Sequence, residues 1–192
     1  MKRIIGLLTL VSLLIFVFAV AADAPINGRA GRAEVRSLQG MIDHHQMALM
    51  MANHCLERAT TEEVQAICTA VIAAQTPEIE QMRAWLLDWY DIEYADMPMM
   101  GMGENMGGMG GMSGDMPNMM GMMAGLNDAE GIDYDIAWLE AMIDHHDDAI
   151  HMSQRILARA EHPELIELSQ NIIRAQSAEN EQMEALIVTL SS

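Results

Sequence analysis

Apolar residues recur every three or four positions from about Glu34: Val35, Leu38, Met41, Ile42, Ala48, Leu49, Ala52 and Leu56 form one stripe, with His45 inside it. That period predicts an amphipathic helix running to about Ala59. Thr60 and Glu63 have capping-box spacing and are expected to open a second helix. It carries Val64, Ile67, Cys68, Val71, Ile72, Ile79, Met82 and Leu86, and ends near Tyr90. Pro77 falls inside this stretch, where a kink or a looser turn is expected. The pattern restarts near Tyr134 with Ile136, Leu139, Met142, Ile143, Ala149 and Ile150, again with a histidine, His146, in the stripe, and runs to about Ala160. Pro163, favourable in a first turn, opens a last helix bearing Leu165, Leu168, Ile172, Ile173, Met183 and Leu186. Each helix has about 26 residues, or ~39 Å. A lone hairpin of that length buries little of its stripe, whereas two hairpins face to face share a core, so an all-α four-helix bundle is expected.

The two hairpins are copies. Met41-Ile42-Asp43-His44-His45 returns as Met142-Ile143-Asp144-His145-His146, and without a gap Met51 meets Met152, Gln75 meets Gln176, Glu78 meets Glu179 and Met82 meets Met183. A duplicated unit of this size is itself the plan of the fold. The expected organisation is a first hairpin over 34–90 and a second over 132–192, forming one bundle.

Residues 91–131 break the pattern. Met97, Met99, Met100 and Met102 open a Met/Gly tract that Met119, Met120, Met122 and Met123 close, with twelve Met between positions 97 and 123. Glycine at that density cannot hold a helix, so a disordered linker is expected. Residues 1–22 read as a secretory signal: Lys2 and Arg3, an apolar run from Ile4 to Val20, then a small-residue cleavage site at Ala19-Val20-Ala21. An uncleaved N-terminal anchor is the alternative. Residues 23–33 form a leader without period, expected to be mobile.

Charge narrows the function. At −18 the chain lacks the basic footprint of a nucleic-acid binder, and it suits neither anionic lipid nor stable membrane insertion once the signal is removed. Cys55 and Cys68 are matched by Ile156 and Ser169 in the second copy, so the pair is present or absent together, as in a disulfide. Two buried free thiols and a soft-metal pair are the other readings.

Candidate chemistry lies at mid-helix. With a first turn near 60–61, His45 comes level with Gln75 and Glu78, and Met41 comes within reach of Met82. The second copy supplies His146, Gln176, Glu179, Met142 and Met183 at the same height. Bundle cores build metal sites from such facing side chains. His44 and His145 are expected at the edge of the stripe, beside Met51 and Met152. Imidazole with thioether suits copper, and Met selects Cu(I). Asp43 and Asp144 could accept a ring N–H. The alternative is histidine satisfied in the core by Gln or Glu. Ferritin-type di-iron chemistry needs Glu-x-x-His on two helices, but Met or Ile stands three residues before each of these four histidines. A second candidate, Met47, Met50 and His54 with Met51, is expected on the wet face of the first helix, as a surface soft-metal site or a partner interface. The Met/Gly tract is a third, since neutral thioethers bind Cu(I) or Ag(I) without deprotonation.

The Met-Ile-x-His-His-x-x-Ala-x-x-Met helix followed by Gln-x-x-Glu-x-x-x-Met resembles the domain-of-unknown-function 305 family over about 34–90 and 132–190. The resemblance implies a ferritin-like bundle, export, and copper or silver handling of the CopM type, with His44, His45, Met51, Met82 and their repeats as ligands. The expected function is a periplasmic or secreted, non-enzymatic protein that sequesters or carries Cu(I), with silver possible, with Cu(II) at the His sites, and with another periplasmic copper protein as the partner considered. An acidic envelope interaction module and a bundle-bound copper oxidase are the alternatives.

Overall fold

The computed structural model describes residues 25–95, 126 and 128–192. The expected signal (1–22), the Met/Gly tract and its candidate ligands from Met97 to Met123 lie outside the described residues. Four long helices are seen among those described: α1 Gly28–Arg58, α2 Glu62–Tyr90, α3 Gly131–Leu157 and α4 Pro163–Leu190. They form two antiparallel hairpins, α1–α2 and α3–α4, that meet through α1 and α3. Trp138 Nε1 donates to the Met51 carbonyl at 3.0 Å, and His145 Nε2 lies 3.0 Å from the His44 carbonyl. Positions that rise along α1 thus fall along α3. The helices run antiparallel and the two copies are related by an approximate two-fold axis near His44 and His145.

Several boundaries differ from the sequence reading. α1 starts at Gly28, inside the leader expected to be mobile. Arg29, Ala30, Arg32 and Ala33 are good helix formers, but Ala33 alone of them packs in the core, so no apolar period announced the extra turn. Gly31 is the position that lets the incoming chain fold back, because a Cβ there would lie 1.8 Å from the Ile26 carbonyl oxygen. α3 likewise begins at Gly131 and stops at Leu157, short of Ala160. α2 continues through Pro77.

The cap of α2 is Thr61, whose hydroxyl accepts from the Val64 N–H at 3.4 Å, and not Thr60. Thr60 has a tertiary role. Its N–H and hydroxyl each donate to Asp135 at 3.0 Å, and the Thr61 N–H donates to the same carboxylate at 2.9 Å. The other end repeats this. Glu34, the counterpart of Asp135, accepts the N–H of Glu161 at 2.6 Å and of His162 at 3.0 Å. Each hairpin thus sends one buried carboxylate from its first helix to the open donors in the turn of the other hairpin. Side chains at helix N-termini ordinarily do this locally; here the cap is borrowed across the interface. Glu34 also holds His162 Nδ1 at 2.5 Å and accepts from the Tyr90 hydroxyl, while the His162 ring stacks on Trp89 at 3.8 Å.

The cysteines are bridged, with Cα atoms 6.3 Å apart, within the range a disulfide spans. The bridge ties the last turn of α1 to the second turn of α2. Under denaturing conditions without reductant no thiol should titrate, and replacing Cys55 and Cys68 with Ala should cost about 3 kcal/mol in urea unfolding. Two titratable thiols would refute the bridge.

The core is in two parts. One cluster, including Met51, Cys55, Val64, Trp138, Leu139, Met142 and Met183, takes the second half of α1 and the first half of α3. The other, including Leu38, Met41, Ile42, Met82, Leu86, Ile156 and Leu165, takes the opposite halves. Between them lies the layer that carries the chemistry.

Candidate metal centre

His44, His45, His145 and His146 are all buried, together with Gln75, Glu78, Gln176 and Asn180. The antiparallel pairing of α1 and α3 brings the two His-His motifs together at mid-helix. Adjacent residues point about 100° apart on a helix, so each motif divides its rings between two neighbours. His45 faces its own hairpin, where Nε2 lies 2.7 Å from Glu78 Oε2, and His146 repeats this with Glu179 at 2.7 Å. His44 and His145 face each other across the interface with ring centroids 3.7 Å apart. His44 is therefore not at a stripe edge. α1 is covered by α2 on one side and α3 on another, and the expected edge became the centre of the second contact.

The layer is poorly satisfied. Both nitrogens of His44 and the Nδ1 atoms of His45, His145 and His146 are buried without a hydrogen-bond partner, as are both amide atoms of Gln75 and the Gln176 carbonyl oxygen. Native structures leave few such groups, and each needs an explanation. With Nε2–H donated to Glu78 or Glu179, the Nδ1 lone pairs of His45 and His146 are free, which is the arrangement that fixes a metal-binding imidazole. Glu78 and Glu179 take the role anticipated for Asp43 and Asp144. Asp43 instead accepts from the Tyr94 hydroxyl at 2.9 Å, and Asp144 is exposed, because their Cβ vectors leave the core side of the helix.

Burial and the neighbouring rings keep the central pair neutral. His44 is lowered to about 3, by desolvation first and then by the charges of His45 and His146. His145 is lowered well below the ordinary value, by desolvation and then by His44, His146 and His45; the His44 carbonyl opposes this weakly. Neutral imidazole is the form that ligates.

Methionines border the layer on both sides, not at a single height. Met51, Met142 and Met183 belong to one core cluster, whereas Met41 and Met82 belong to the other, with Met152 packed against it. Each group takes two thioethers from one hairpin and one from its partner, as the two-fold requires. The second candidate does not stand as a wet face: Met47 and Met51 are buried, His54 Nδ1 is hydrogen-bonded to Tyr134 Oη at 2.9 Å, and only Met50 is exposed. The extra apolar stripe of α1 is the surface α3 covers. Among the described residues no group of three or more His, Cys, Asp or Glu is placed to hold a metal ion, so any ion here would need thioether ligands or ring movement. No helix among the described residues is long and apolar enough to cross a membrane.

Two pseudo-symmetric helical hairpins closed around a buried imidazole layer, with thioethers above and below, define an all-α, ferritin-like bundle. The chain belongs to the family described as domain of unknown function (DUF305), whose pattern matches residues 34–187. The structure of CopM in its Cu(II)-bound form is similar, with a TM-score of 0.63 and 29% identity, covering 81% of this chain and 96% of that one. The structure of a DUF305 protein from Streptomyces coelicolor has a TM-score of 0.66 and 25% identity, covering 83% of this chain and 93% of that one. A curated relative, uncharacterized protein L153 of Acanthamoeba polyphaga mimivirus, is 29% identical over 80 residues; these are 42% of this chain, and the match spans about half (49%) of that relative.

Proposed function

We propose that this is an exported, non-catalytic protein that sequesters or carries Cu(I), and Ag(I) by the same ligands, for tolerance or for delivery to another copper protein. The observation that carries this reading is the set of five buried, unpartnered imidazole nitrogens in a two-fold layer bordered by thioethers. Leaving so many polar atoms unsatisfied costs stability, and a soft cation would take up the imidazole lone pairs among them. Imidazole and thioether together suit copper, with imidazole able to hold Cu(II) as well. CopM, similar over most of both chains, has been solved with Cu(I), Cu(II) and Ag bound, which supports the same cargo here. The twelve Met of 97–123 add a second pool of ligands suited to Cu(I) and Ag(I).

Titrating the metal-free protein with each ion against a competing chelator tests this. Exchange of His44, His45, His145 and His146 for Gln should abolish Cu(II) binding and remove one or two Cu(I) ions. Deleting 97–123 removes none of the periodic apolar positions and spares buried Leu126; it should lower Cu(I) and Ag(I) capacity by several ions while leaving the melting temperature nearly unchanged. Binding no stronger than the competitor's background would end the copper reading. Oxygen uptake on adding Cu(I) would end its non-catalytic part.

A further inference from the structure

Arg29, Arg32, Arg36 and Arg159 line a cleft of about 640 Å³ between the start of α1 and the end of α3. It runs on, through Arg36 and Arg159, into a second hollow of about 200 Å³ that adds Arg155 over an apolar floor of Met152 and Ile156. Five of the ten basic residues in a chain of net charge −18 therefore face one concave surface. Spacing makes this local: 29, 32 and 36 share one face of α1, and 155 and 159 are one turn apart.

Folding does not account for the cluster. Among the described residues none of the five is held in an ion pair or side-chain hydrogen bond. Like charges three or four residues apart on a helix repel. Arg29 and Arg32 also lie in the first turns of α1, at its positive end, where cations are unfavourable. The other three helices carry Glu62 and Glu63, Asp133, or Glu164 in their first turns, and α1 has no acid in its own. Its N-cap, Asn27, leaves the helix N–H groups without a side-chain acceptor. Only Arg155, in the last turn of α3, and Arg159, just past its C-cap Ala158, are placed as a helix end favours.

We infer that this cleft binds a multiply charged, phosphate-bearing anion. Guanidinium groups match phosphate oxygens in pairs, and the volume lies in the range of small-ligand sites. The acidic remainder of the molecule does not preclude this. At about 0.15 M salt, charges more than ~8 Å away are largely screened, while contact with the arginines is not. Glu161 is the one acid in the lining and opposes an anion. The arginines stand apart from the imidazole layer, since Arg36 precedes His44 by about two turns of α1, or ~12 Å; Met152, in the floor of the second hollow, also borders that layer, and a test on metal-free protein keeps this inference separate from copper.

The test uses the full metal-free chain in 0.15 M NaCl, with inorganic pyrophosphate in calorimetry as one arm and phosphatidylglycerol–phosphatidylcholine vesicles in co-sedimentation as the other. Saturable pyrophosphate binding is expected, weakened roughly tenfold by Arg32→Gln and again by Arg159→Gln, tightened by Glu161→Gln and unaffected by Arg174→Gln on α4. All five arginines are exposed, and unchanged melting curves would show the variants folded. Vesicle binding that depends on the same two arginines would assign the phosphate to a lipid headgroup. Binding in neither arm, or binding that survives Arg32→Gln with Arg159→Gln, would overturn the inference.

Discussion

The metal-free protein should lose about 4 kcal/mol of stability between pH 7 and pH 5. His44 and His145 are held neutral by burial, His44 down to about 3 and His145 well below the ordinary value of 6.5. Unfolded, both take up a proton near pH 6.5. The unfolded state therefore binds more protons throughout this window, and linkage makes stability fall on acidification, by about 2 kcal/mol per histidine at pH 5. The loss begins near 6.5 and continues until the folded pair itself protonates. Urea unfolding at pH 7, 6 and 5 reads it directly. In a variant with His44→Leu and His145→Leu the slope over this window should nearly vanish, because two buried nitrogen-bearing rings give way to apolar side chains of similar volume. A wild-type protein equally stable at pH 5 and 7 would mean that water or protons reach the pair.

Glu34→Ala should be the most damaging single substitution outside the apolar core, costing roughly 3–5 kcal/mol. Glu34 is fully buried and accepts from two backbone N–H groups of the α3–α4 turn, from His162 and from Tyr90. Removing it leaves the buried backbone N–H and ring of His162 without a partner, and takes the acceptor from the half-buried Glu161 N–H and Tyr90 hydroxyl. Desolvation alone would raise its pKa, but the hydrogen bonds from Tyr90, the Glu161 and His162 backbone and the His162 ring outweigh burial and hold it lowered. A depressed carboxyl contributes stability above about pH 4.5 that is lost as pH falls through the folded value. Its acid window therefore lies below that of the histidines, and Glu34→Ala should remove the lower part of the acid transition while leaving the pH 7-to-5 slope. Asp135→Asn should be milder, since the amide oxygen can still accept one of the Thr60 and Thr61 donors. If Glu34→Ala unfolded at the wild-type urea concentration, the cross-hairpin cap would carry no stability.

Much of the fold is legible in the chain because it rests on local chemistry. The three-and-four spacing of Leu38, Met41 and Ile42, and of Leu139, Met142 and Ile143, specifies helices whatever they pack against. Turns near 60 and 160 then set His45 opposite Glu78 by arithmetic along two antiparallel helices, and the structure has that contact. Local pattern misleads where a second element intervenes. Met47, Met51 and His44 look peripheral on a helix with one buried face, but α1 has two. Thr60 looks like a cap from its spacing with Glu63, but its donors go to Asp135, 75 residues away. Glu34 and Asp135 gave a signal in being acidic at repeated positions; charge near the start of a helix reads as solvation until the opposite turn is placed beside it.

The sequence by itself determined the helices, their pairing into two like hairpins, the height of the four histidines and the ligand types available to a soft metal, because periodicity and duplication are properties of the chain alone. Only the tertiary structure decided that α1 and α3 run antiparallel. That one choice sets His44 against His145, divides the methionines into two groups across the layer, gives each turn a carboxylate from the other hairpin, and gathers five arginines at one end. Two copies of one hairpin can meet in more than one way, and what selects among them is the fit of side chains more than 70 residues apart, which no local pattern encodes.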